Sequence, residues 1–183
     1  MSSVLLVAEH VKGKIKSATL NTVTFARQVS ETLAAKLCVL VIGNNVQDLA
    51  ASLISYGADL IYVVDDIALE NCTAETWGHV IAEVAKECEA VFVGMNSGTT
   101  GRNLMPRVAG KLNAGMVTDT VGMEGNDYIR EMWAGNALAT VSVTTPVTVS
   151  TIQGTAFAKA EPAGTESEII SLTIPVLETK IRF

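Results

Sequence analysis

The sequence is short of cysteine, proline and aromatic residues and has no long uninterrupted apolar run, and each shortage removes a class of protein. Its 3 cysteines, Cys38, Cys72 and Cys88, stand far apart with no close Cys or His spacing. They predict reduced thiols rather than a disulfide framework, and no metal site. The 2 histidines are isolated as well: His79 falls in a predicted helix, while His10 follows the first predicted strand and remains a functional candidate. No apolar stretch is long enough to span a bilayer, so membrane insertion is not expected. The start reads as neither a signal peptide nor an Arg-rich transit sequence, which predicts a bacterial cytoplasm, or the mitochondrial matrix if a leader has been removed. Lys and Arg number 13 against 19 Asp and Glu, a net charge of -6, and the basic residues are scattered. That balance excludes a nucleic-acid surface, which needs clustered positive charge. What the chain does have is 49% hydrophobic residues over 183 positions, enough for one well-buried domain.

The order of elements follows from apolar periodicity. Residues 4–8, 37–42, 60–64 and 90–93 are continuous β-branched or leucine-rich runs, the pattern of strands buried on both faces. Between them lie helical spacings: residues 17–33 with Ser17 as the expected cap, a helix through Leu49, Leu53 and Ile54 closed by Gly57, and residues 73–88 with Trp77, Val80, Ile81 and Val84 inward. Asp65 and Asp66 close the third strand and are assigned to turn and capping duty over ligand binding. Strands alternating with helices predict an α/β fold with a doubly wound, mostly parallel sheet.

The fourth strand leads into the candidate crevice. After Gly94 comes a small polar loop, and then Leu104, Val108 and Leu112 recur at helical spacing. Pro106 is expected to kink that helix. Backbone donors around Ser97, Gly98, Thr99 and Gly101, with Arg102 beside the helix start, can hold an anion or nucleotide phosphate. The same residues also suit a plain turn and cap, and the glycine spacing matches neither a Walker loop nor a dinucleotide fingerprint. In a doubly wound sheet this loop should lie beside Glu9 and His10, where the winding reverses.

After Leu112 the pattern changes to successive strands over residues 116–123, 128–134, 137–144 and 147–152. The first is expected to complete the parallel sheet and the others to form a half-buried antiparallel ribbon. The single domain 1–183 thus divides into a parallel core, 1–123, and an antiparallel extension and tail, 124–183. Residues 156–168 read as a loop and 169–177 as a last extended segment. An exposed antiparallel edge calls for cover by a partner or another domain.

Four ordered motifs then carry a resemblance. Val7-Ala8-Glu9-His10 with Thr19-Leu20-Asn21-Thr22-Val23-Thr24, Gly101-Arg102-Asn103-Leu104-Met105-Pro106-Arg107-Val108-Ala109, Ala134-Gly135-Asn136-Ala137-Leu138, and Gly154-Thr155-Ala156-Phe157 resemble the amino-terminal domain of the electron transfer flavoprotein alpha subunit. The resemblance implies an adenine nucleotide alpha hydrolase-like sheet and partnership with a beta subunit. It also implies the carriage of electrons through FAD from acyl-CoA and related dehydrogenases to a quinone reductase or other acceptor. In that family the Gly-rich motif holding most of the FAD belongs to a second domain, which the resemblance places beyond Phe183. No FAD-binding residue is therefore assigned here, and no cofactor is expected on this chain alone. The crevice corresponding to residues 96–102 holds AMP in the related beta subunit. A different class remains open, a stand-alone nucleotide-binding module resembling universal stress proteins. Residues 133–138 and 154–157 favour the scaffold, because a nucleotide binder has no need of them. No nucleophile, base and orienting group can be assembled, so no catalytic residue is assigned.

Overall fold

The computed structural model describes residues 2–164 and 166–175. Strand β1 (Ser3–Val7) is wholly buried, as its unbroken apolar run requires. A small hairpin, β2 (His10–Val11) and β3 (Lys14–Ile15), leads to helix α1 (Ser17–Thr32). Strand β4 (Lys36–Gly43), the short helix α2 (Gln47–Ala51) and strand β5 (Leu60–Asp65) follow. Helix α3 (Ala74–Glu87), strand β6 (Ala90–Asn96) and helix α4 (Thr99–Leu112) complete the alternating part. Strands β7 (Gly115–Glu124), β8 (Asp127–Met132), β9 (Ala137–Val141), β10 (Thr148–Ile152) and β11 (Glu168–Ser171) make up the rest.

Apart from the small hairpin, these strands form a nine-stranded sheet in the order β11-β5-β4-β1-β6-β10-β7-β8-β9. It is parallel from β11 to β7, and only β8 and β9 run antiparallel. One face packs on α1, where Val23, Phe25, Ala26 and Val29 meet Val4, Leu6, Val39 and Val41. The other packs on α3 and α4, with Trp77, Ile81, Leu104 and Val108 against Leu5, Leu40, Val93 and Met95. Phe25 lies at the centre of the first face, its ring 4.8 Å from Phe157 and 6.2 Å from Phe92. Fully burying such a ring stabilises the fold by ~1.5–3 kcal/mol.

Several expectations need correction. The segment 147–152 does not extend an antiparallel ribbon: β10 inserts between β6 and β7, parallel to both. It is buried at every position, so its polar residues are not a solvent face. Their hydroxyls are satisfied across the sheet, with Thr120 Oγ1 and Ser150 Oγ 2.8 Å apart and the Asp119 N–H donating to Thr151 Oγ1 at 3.0 Å. The last extended segment is likewise parallel, pairing with β5 at the far edge, and residues 176–177 of it lie outside the described residues. The antiparallel extension is thus confined to β8 and β9. Ser17 does not cap α1, since Lys16 holds that position without a side-chain bond. Helix α4 continues through Pro106, which is compatible with the expected kink. That proline lies on the exposed face, where the Arg102 carbonyl it deprives of a donor can turn to water.

Candidate functional site

The crevice forms where β6 ends and α4 begins. Gly101 is required there by close approach: a Cβ on it would lie 2.1 Å from the Asn96 carbonyl oxygen. Gly98 occupies the N-cap of α4 and offers no side-chain cap, and Thr99 is the exposed first residue of the helix. The Ser97 N–H donates to the Ile152 carbonyl at 2.7 Å, joining the loop to β10.

Charge around this loop is balanced rather than positive. Arg102 donates from Nε to Ser97 Oγ at 3.2 Å and from Nη2 to the Asp119 carboxylate at 2.8 Å, and the Ser97 hydroxyl also donates to Asp119. Asp119 reaches this position through an irregularity in β7: its φ is +54°, a left-handed value within a strand, where the β10–β7 register shifts. Glu9 is the second carboxylate. It is buried, its Oε2 lies 3.7 Å from where a Gly98 Cβ would stand, and Lys16 donates to its Oε1 at 2.6 Å.

The structure therefore brings Ser97, Gly98, Gly101 and Arg102 together with Glu9, as the winding of the sheet implied, but turns His10 away. The His10 Nε2 lies 2.7 Å from the Ile42 carbonyl oxygen, and its ring sits 5.9 Å from that of Trp77. Asp65 accepts from the Asn45 and Val46 N–H groups, and Asp66 caps the turn at Ala68. Asp119 and Arg130 escaped the sequence reading. Both sit inside ordinary strand patterns, and nothing in the residues around them signals the bulge that re-aims Asp119.

Beside this crevice lies a wider cleft of roughly 720 Å³, lined by Arg102, Asp119, Arg130, Met132, Trp133 and Gln153 among others. Its rim is the turn between β8 and β9, where Trp133, Ala134 and Gly135 all have positive φ. Trp133 is 77% exposed and Leu138, on the edge strand, 66%. No helix among the described residues is long and apolar enough to cross a membrane.

A family model of the electron transfer flavoprotein domain matches residues 4–177. The chain belongs to the electron transfer flavoprotein family. It is 30% identical over 190 residues to the mitochondrial electron transfer flavoprotein subunit alpha of Dictyostelium discoideum, covering 98% of this chain and 53% of that relative. It is 30% identical over 183 residues to the subunit alpha of Pseudomonas aeruginosa, covering 99% and 57%. With the subunit alpha of Thermoanaerobacterium thermosaccharolyticum it shares 32% identity over 141 residues, 74% of this chain and 43% of the relative. The chain spans about half the length of the curated relatives it matches.

For a flavoprotein family the crevice must be tested against the dinucleotide. A pyrophosphate set at the start of α4 would meet the carboxylates of Glu9 and Asp119, while Arg102 is already paired. Lys16 is paired with Glu9 and Arg102 with Asp119, so neither cation is free to answer the pyrophosphate charge. The crevice at the start of α4 does not fit the FAD pyrophosphate, and FAD chemistry is not assigned to its residues.

Proposed function

We propose that this chain is a single scaffold domain of an alpha-type electron transfer flavoprotein subunit, the amino-terminal one, and that it pairs with a beta-type subunit. In the assembled protein, electrons pass through FAD from acyl-CoA and related dehydrogenases to a quinone reductase or other acceptor, in the bacterial cytoplasm or the mitochondrial matrix. The observation that carries this reading is the match of one family model to residues 4–177, nearly the whole described fold. The uncovered edge at β9, with Trp133 and Leu138 exposed, supports a protein partner, because large exposed apolar side chains on a sheet edge call for cover.

On this reading the chain is an electron-carrier component without catalytic residues of its own, and FAD is held chiefly by residues outside these 183. Ser97, Gly98, Thr99, Gly101 and Arg102 serve to join β6, α4 and β7. Mixing the purified chain with its cognate beta-type subunit and measuring mass by light scattering tests the reading. A stoichiometric complex is expected, and the chain alone should be colourless. Yellow protein from the chain alone would overturn the assignment of FAD elsewhere, and failure to form the complex would overturn the scaffold role.

A further inference from the structure

Arg130 makes no ion pair among the described residues. It projects from β8 into the 720 Å³ cleft, and its Nη2 donates to the Thr118 hydroxyl at 2.7 Å. Its Nε is buried with no hydrogen-bond partner. Asp119 and Glu131 line the same cleft, but Asp119 is taken by Arg102 and Glu131, which follows Arg130 on β8, lies outside ion-pair distance. A half-buried guanidinium without a counter-ion is costly unless something else supplies the negative charge.

The same cleft is overhung by Trp133, the most exposed large apolar side chain among the described residues. Its turn holds three consecutive residues of positive φ, Trp133, Ala134 and Gly135. Tryptophan and arginine are the residue types that most often dominate binding energy when a partner desolvates them together. A small free anion would answer the charge and leave the indole in water. A protein surface answers both.

We infer that the cleft beneath the β8–β9 turn is a socket for a carboxylate side chain of the beta-type subunit, with Arg130 as its ion-pair partner and Trp133 as the apolar anchor beside it. This rests on the scaffold reading proposed above. The partner contributes an aspartate or glutamate next to an apolar pocket, so that charge and indole are covered in one contact.

The test is the affinity of the chain for its cognate beta-type subunit, measured by calorimetry at low and high salt. Arg130→Gln and Trp133→Ala should each weaken binding by about tenfold or more, and Arg130→Gln should also flatten the salt dependence. Because Trp133 is exposed, its variant should melt with the parent, which keeps the test valid even if Arg130→Gln unfolds. Lys86→Gln, on α3, should bind as the parent does. If the parent chain binds but both variants stay within about twofold of it, the socket is wrong and the scaffold role stands. If the parent chain does not bind, both fall. Inorganic phosphate should leave the melting temperature of the chain unchanged. A rise lost in Arg130→Gln would show a free-anion site and overturn the inference.

Discussion

Arg102 and Asp119 meet across the mouth of the crevice at 2.8 Å, joining the first turn of α4 to the bulge in β7. Their side chains remain 60% and 27% exposed, so water screens the pair. Arg102→Ala should therefore lower stability by no more than ~1 kcal/mol, read as the midpoint shift in urea unfolding at constant slope. A loss several times larger would mean that the pair organises the whole end of the sheet.

Gly101 should behave in the opposite way. The oxygen that a new Cβ would strike belongs to the backbone of β6 and has no rotamer through which to retreat. Gly101→Ala is expected to cost ~3 kcal/mol or more, against little for Gly110→Ala, where nothing lies within 4 Å of the added carbon. Equal melting temperatures for the two variants would contradict the close approach.

Nucleotides provide a third check. With Glu9 and Asp119 beside the loop and Arg102 engaged, AMP and ATP at millimolar concentration should not raise the melting temperature, since a ligand stabilises only above its dissociation constant. A saturable rise would restore the phosphate-binding role of residues 97–102.

Burial pushes the Cys38 thiol up to about 12 from 9.0, with the nearby Cys88 sulfur adding to the shift. The unfolded chain loses this proton first as pH rises, so the stability that the neutral thiol contributes is complete below about pH 9 and is lost between there and about pH 12. Cys38→Ala should flatten part of the alkaline fall in unfolding free energy. In the native state Cys38 should also react with a thiol reagent more slowly than Cys72, which is exposed although its surroundings push its thiol up to about 11. Rapid labelling of Cys38 would place it outside the core.

Much of the fold was legible because burial on both faces writes itself as an unbroken apolar run. Residues 4–8, 37–42, 60–64 and 90–93 had to be inner strands, and Trp77, Val80, Ile81 and Val84 had to face inward from one helix. The passage from strand to helix after Gly94 was legible for the same local reason, since small residues permit the turn, although the connection is only Ser97 and Gly98 and residues 99–102 already belong to α4.

Tertiary structure alone decided what these elements meet. Strand β10 reads as half-polar, yet it is the buried strand between β6 and β7, because Thr120 and the Asp119 N–H satisfy hydroxyls whose partners lie some thirty residues away in sequence. The crevice changed character in the same manner. Arg102 at a helix start promises an anion site while its neighbours are unknown, and the bulge in β7 delivers Asp119 to neutralise it. Local patterns determine which residues avoid water. Which polar groups satisfy one another, and which charge, such as that of Arg130, has no ion pair among the described residues, depends on distances that exist only once the sheet has formed.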